Sequence, residues 1–232
     1  MRLKLTISAA VAAALLIAGV AGASVYEVGD QGTFTTPPCV DSNCQVVTKV
    51  SAYQQQIADK KNPFRITRTG KVVALTLYLP DVGKKPLAFF QSKYGGAPTA
   101  KISILRPRPR RGVPYRYVLA SQGAPIDLSE YLNGTPTFVL NQPLTVKKND
   151  VVAVTTDSWL PAFAVAGQDS RSTWRASRPA KTCKDLATQR MHEKVGQIKQ
   201  YACAYTGARL LYKAVVIDTP KKTSPKTTSP TK

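Results

Sequence analysis

The chain is short of the residues that build most catalytic centres. It has one histidine, two methionines and two tryptophans, and 13 acidic residues stand against 33 basic ones. A single histidine excludes a multi-histidine metal site. Two methionines beside 17 prolines argue against a helical bundle. There is no Gly-x-Gly-x-x-Gly, no phosphate-binding Gly-Lys loop, no His-Glu-x-x-His and no Gly-x-Ser-x-Gly. No metal or other cofactor is therefore expected. What is present is enough apolar material for a core, 43% of residues, under a net charge of +20. That combination excludes a disordered polyelectrolyte.

The first segment reads as an export leader over residues 1–23. Arg2 and Lys4 precede an apolar stretch from Leu5 to about Val20, and Ala21-Gly22-Ala23 supplies a small-x-small cleavage signal before Ser24. The stretch is Ala-rich and broken by Thr6 and Ser8, short of the roughly 20 strongly apolar residues of a membrane span. No second segment is long enough to span, so the mature chain is expected to be secreted or bound at the cell surface. Cleavage removes only two of the positive charges. Four cysteines fit an oxidising compartment. Local pairing of Cys39 with Cys44 and of Cys183 with Cys203 is the simplest of three connectivities. The second bridge would stabilise the fold by roughly 3 kcal/mol on a loop-entropy view.

Strand signals dominate residues 24–218. Lys71 to Leu79 alternates and is β-branched, Lys101 to Leu105 alternates before Pro107, and Tyr115 to Leu119 follows a turn. Thr137 to Leu140 and Leu144 to Val146 precede the turn Lys147-Lys-Asn-Asp150, and Val151 to Thr156 reads as a buried central strand. Arg209 to Ile217 closes the series. One short helix is expected at 185–197, with Leu186, Met191 and Val195 as its apolar points; Ala52 to Asp59 fits a helical turn or a strand. Residues 219–232, with Pro220, Pro225 and Pro230 on a five-residue repeat among Lys, Thr and Ser, carry nothing apolar and are expected to stay disordered. The fold class is thus all-β, an antiparallel sandwich.

The runs Phe64-Arg-Ile-Thr-Arg-Thr-Gly70, Ile102-Ser-Ile-Leu-Arg-Pro107 and Phe138 to Val154 resemble an exported actinobacterial domain of the jelly-roll-like β-sandwich type. The last run matches a Pro-Leu-x-Val-x-x-Gly-Asp pattern leading into a buried strand, with Asn149 where glycine is usual. Asn still permits a left-handed turn. The resemblance implies architecture and carries no site residues, since jelly rolls serve many functions.

Candidate chemistry lies in two loops. Arg106-Pro-Arg-Pro-Arg-Arg111, with Arg116 after it, places Arg106, Arg108, Arg110 and Arg111 on a proline-stiffened connection between strands. Guanidinium groups there suit phosphate or carboxylate; the plainer alternative is a solvated hairpin tip that discourages edge pairing. Trp159 and Trp174, with Arg171 and Arg175, form either a stacking platform for sugar rings or two caps on the sandwich core. His192, in Met-His-Glu-Lys on the expected helix, reads as a solvated surface group. Asp127, Glu130 and Asp157 are the imaginable carboxylates of a glycosidase, though aspartates at such places usually cap turns.

Three functions remain. The first is a non-catalytic basic protein binding anionic envelope polymers, with nucleic acid as a non-specific partner of the same charge. The second is a carbohydrate-binding module using exposed tryptophans. The third is an enzyme acting on polysaccharide. The first accounts for the charge best.

Overall fold

The alternating segments become strands that close on each other. The computed structural model describes residues 23–29, 39, 44–165, 168–185 and 188–219; the expected leader up to Gly22 and the expected tail beyond Thr219 lie outside the described residues. In chain order the strands are β1 (Val25–Val28), β2 (Val47–Ile57), β3 (Lys60–Lys61), β4 (Gly70–Leu77), β5 (Thr99–Pro107), β6 (Arg116–Gln122), β7 (Ile126–Asp127) and β8 (Thr137–Val146). After them come β9 (Val151–Leu160), β10 (Phe163–Ala164), β11 (Thr173–Ala176), β12 (Ile198–Gln200), β13 (Cys203–Thr206), β14 (Arg209–Leu210) and β15 (Tyr212–Asp218).

Every pair of these strands is antiparallel. One sheet runs β1-β15-β4-β8, and the larger runs β12-β6-β5-β9-β2-β11-β13. Counting β1, β2, β4, β5, β6, β8, β9 and β15 as strands one to eight gives the orders 1-8-3-6 and 2-7-4-5. That is the double Greek key of a jelly roll. Between the sheets, Ile102 and Ile104 of β5 sit opposite Val154 and Val152 of β9. These pack with Val72, Leu75 and Leu77 of β4 in one continuous core. Each such side chain contributes roughly 1.5–3 kcal/mol by leaving water. Gly70 opens β4 because a Cβ there would collide with the Ile217 carbonyl oxygen of the neighbouring strand. Asn149 takes φ +74° at the turn before β9, the left-handed geometry expected of it. Ala52 to Ile57 is strand, which settles the ambiguity left by its three glutamines.

The one α-helix among the described residues lies elsewhere than expected. It is α1, Lys84–Tyr94, and it begins with Pro86 in the first turn, where a missing N–H is harmless. It stops at Gly95 (φ +86°), whose N–H, like that of Gly96, donates to the Gln91 carbonyl. Of the expected helix 185–197, residues 185 and 188–197 are not helical, and 186 and 187 lie outside the described residues. Residues 188–197 follow β11 in the chain and form a strap across the outer face of the larger sheet, from β2 to β6, before β12 joins its margin. Neighbouring strands outbid the local helical spacing: Arg190 N–H donates to the Lys49 carbonyl (3.0 Å) and His192 N–H to Ser51 Oγ (2.9 Å). Beneath the strap runs a buried polar row. Ser51 Oγ and Thr155 Oγ1 are 2.6 Å apart, Thr155 and Ser103 hydroxyls 2.8 Å, and Gln122 Nε2 donates to Ser103 Oγ and to the His192 carbonyl. The disulfide Cys183–Cys203 ties the strap to β13, and Cys39–Cys44 is the second bridge, so the local pairing holds.

Candidate anion-binding end of the sandwich

β5 and β6 form a hairpin whose tip is the proline–arginine run. Pro107 ends β5, Arg108 N–H donates to the Arg116 carbonyl (2.8 Å), and Val113 N–H returns to Arg110 (3.0 Å) around Gly112 at φ +73°. Arg108, Arg110 and Arg111 are exposed at this tip and Arg116 is half-buried. Arg106 is a correction to the expected set. Its Nε and Nη2 donate to the two carboxylate oxygens of Asp150 at 2.9 and 2.8 Å. Asp150 is 1% exposed and also accepts the Lys147 N–H. Arg106 is thus half of a fork-to-carboxylate pair that pins the hairpin to the β8–β9 turn. Its bonds to Asp150 raise the guanidinium pKa further, against a smaller opposing effect of burial.

Arg175 belongs to this hairpin and not to the tryptophans. Its guanidinium lies 3.3 Å from the Tyr115 ring centroid, and it donates to Gln55 and to the carbonyls of Tyr201 and Ala202. Tyr115 itself takes φ +55°, uncommon for a bulky side chain. Its carbonyl accepts the Tyr201 N–H at 2.8 Å. Pro107, Pro109, Arg110, Val113, Pro114, Tyr115, Arg116 and Tyr117 line an open hollow of about 210 Å³ there.

Register brings more cations to the same end. Arg65 bridges to Val151, the residue beside Leu105, and Lys61 lies opposite Gln56 at the end of β2. Lys147 and Lys148 occupy the turn before β9. Arg65, Lys61, Lys147 and Lys148 are exposed. The ion pairs at this end engage Arg106 with Asp150, Arg68 with Asp218, and Arg171 with Asp59 and Asp169. Among the described residues, Lys61, Arg65, Arg108, Arg110, Arg111, Arg116, Lys147 and Lys148 are in no ion pair. Arg171, expected beside the tryptophans, is held instead by its two aspartates.

The tryptophans are core residues, which corrects the stacking-platform alternative. Trp159 is 0% exposed; it packs on Phe90 of α1 (5.2 Å) and donates from Nε1 to the Gly96 carbonyl. It lies the length of β9 from Val151, about 26 Å at 3.3 Å per residue, at the opposite end from the arginine tip. Trp174 is 7% exposed, stacked on Tyr205 at 4.4 Å. Neither offers a face to a sugar.

The remaining titratable candidates are also placed. His192 is a second correction: it is fully buried, not solvated. Its Nε2 lies 2.7 Å from the Gln197 carbonyl, which can only accept, so Nε2 carries the proton; Nδ1 faces the Tyr201 hydroxyl at 3.2 Å. Burial lowers its pKa, with nearby Lys199 adding to the effect. Asp127 and Asp157 flank Thr99, which pairs with Asp127 across the sheet and donates its hydroxyl to Asp157. Bonds from Ser129 hold the Asp127 carboxyl below its usual range. For Asp157, burial pushes up, but Thr99 and Lys101 outweigh it and the net is downward. A glycosidase acid needs the reverse. Glu130 is exposed in the turn after β7.

A larger groove, about 630 Å³, opens along the margin between β6 and β8. It is lined by Gln122 to Ile126 and by β8 from Thr137 to Gln142, with Leu144. There β8 leaves the ladder, since Val72 faces Leu144 while Ala74 faces Val139, so that Leu140, Asn141, Gln142 and Pro143 bulge out. No charged side chain lines this groove. The sequence signal for it was the Pro143 within a strand pattern, which marks an edge or a bulge.

Comparison of the chain with protein-family models, with curated proteins and with solved structures yields no match. Among the described residues no helix is long and apolar enough to cross a membrane.

Proposed function

We propose that this chain is an exported, non-catalytic basic protein that binds anionic cell-envelope polymers through the arginine end of its sandwich. The leader-like N-terminus, the two disulfides and the resemblance to exported actinobacterial domains support the cell surface as its place of work. One observation carries the binding reading: eight cations gather at one end of the fold without a carboxylate partner among the described residues, three of them at the tip of a braced hairpin. Nucleic acid offers the same phosphate chemistry and would be held non-specifically. The test is retention on phosphate- and carboxylate-bearing wall fractions across a salt series. Replacing Arg108, Arg110 and Arg111 together by Gln is expected to weaken binding at low salt by more than tenfold. It should also flatten the log–log salt dependence by roughly two to three units. Unchanged retention at low salt defeats the proposal.

The uncharged groove beside β8 favours a second reading, carbohydrate binding, moved away from the tryptophans. Asn141 and Gln142 offer paired donors and acceptors beside the apolar side chains of Phe138 and Leu140. Binding of neutral oligosaccharides that ignores salt and the arginine substitutions would select this reading over the first.

A further inference from the structure

Ser24 and Asp218 face each other across β1 and β15, one step beyond the ladder that begins with Val25 opposite Ile217. Asp218 N–H donates to the Ser24 carbonyl at 2.9 Å. In an antiparallel pair the return bond would run from Ser24 N–H to the Asp218 carbonyl. Here that nitrogen points instead at the Asp218 side chain, 2.6 Å from Oδ1, and Ser24 Oγ donates to Oδ2 at 2.8 Å. One carboxylate thus wraps the first residue of the folded body, at the position where the leader pattern places its cleavage.

We infer that the Ala23–Ser24 peptide bond is the leader-cleavage site and that Asp218 receives the α-ammonium group its hydrolysis creates. The inference rests on the export reading proposed above. A leader peptidase adds water across the bond: Ala23 leaves with the new carboxylate, and Ser24 keeps the nitrogen, which takes up a proton at neutral pH. The neutral amide that donates to Asp218 then becomes a cation at the same place. The bond is already charge-assisted by the carboxylate, and the new ammonium adds the attraction of an ion pair to it. The start of β1 and the end of β15 are thereby fastened by charge only after processing.

The other groups around Asp218 are few. Arg68 Nη1 lies 2.8 Å from Oδ2, with its guanidinium 4.8 Å from the Tyr26 ring centroid, and the Tyr26 hydroxyl donates to the Arg68 carbonyl. On β4, Lys71 stands opposite Ile217; on β1, Glu27 is occupied by Lys213. Among the described residues, Ser24 is the partner of Oδ1. Bonds from Ser24 already hold the Asp218 carboxyl below its ordinary value. The stability it contributes is therefore present above that ordinary value and lost as pH falls through the lowered one. An α-amine that gains this partner is raised above about 7.8, so its share is present below that pH and lost as pH rises through the raised value.

Two measurements decide the matter. The chain beginning at Ser24 with a free amine is compared with the same chain α-acetylated, which keeps the N–H donor and removes only the charge. The free amine is expected to melt about 2–4 °C higher near pH 6, with the gap closing in acid and in strong base. It should vanish when both chains carry Asp218→Asn. Equal melting at pH 6, or a gap that survives Asp218→Asn, overturns the capture. Separately, the 232-residue sequence is expressed with its own leader, and the recovered chain is weighed. A mass starting at Ser24 supports the cleavage assignment and another start overturns it. Retention of the uncleaved chain overturns the export reading together with the assignment, a result the acetylation experiment cannot produce.

Discussion

The two ends of the sandwich are made by the same strands and end in opposite chemistry. β5 and β9 lie side by side. At one end β5 runs into Pro107 and the arginine tip while β9 begins beside Arg65; at the other β9 runs into Trp159 and β5 begins beside Asp127 and Asp157. The first end gathers cations that lack carboxylate partners. The second is closed by α1, with Phe90, Val82 and Cys39 packed around Trp159, and its Lys101 is paired with Asp157 at 3.1 Å. Arginines gather on the proline-braced tip, whereas the lid end carries the lysines of α1, Lys84, Lys85 and Lys93, which are in no ion pair among the described residues.

Substitutions at each end should separate stability from binding. The largest effect belongs to the lid. Trp159→Ala removes a fully buried ring and is expected to destabilise by about 3–5 kcal/mol in denaturant unfolding. Retention on anionic polymer at low temperature should be unchanged; a loss of retention in the folded variant would break the division between the ends. Next comes Asp150→Asn, which takes the anionic acceptor from the partly exposed Arg106 and from Lys147 N–H. A loss of about 1–3 kcal/mol is expected. Binding should hold or tighten, because one more cation is released at the arginine end; weaker binding would mean that the hairpin's fixed position matters more than its charge.

The smallest effect sits between the ends, under the strap. His192 has an ordinary value of 6.5, lowered in the fold by burial. The folded state resists its protonation, so its contribution is complete above that value and is lost as pH falls below it. Unfolding free energy is expected to drop by on the order of 1 kcal/mol between pH 7 and 5. His192→Gln should flatten that limb; an identical limb in the variant places its cause in another group.

The sandwich was legible because alternation is a local signal. Val151 to Thr156 reads as central from its own residues, and Asn149 announces its turn. The local disulfide pairing was legible too, as was the core alternative for Trp159. Other features depend on partners far along the chain. Arg106 looks like its three arginine neighbours until Asp150, 44 residues on, is folded against it. His192 looks solvated on a helical reading, but Ser51, 141 residues earlier, holds its amide. The true helix carried readable punctuation, Pro86 near its start and Gly95-Gly96 at its end, but its apolar face is short, only Leu87, Phe90 and Tyr94. The margin groove depends on a four-residue bulge that only the ladder register reveals.

The row Ser51, Thr155, Ser103 and Gln122 gives the strap something that an oily face would not. Hydrocarbon surfaces tolerate sliding, whereas a line of hydroxyl and amide groups must each be answered at one spot. A displacement of the strap by a single residue would take the His192 backbone away from both Ser51 and Gln122. The covering segment consequently has one address on the sheet, written in oxygen and nitrogen.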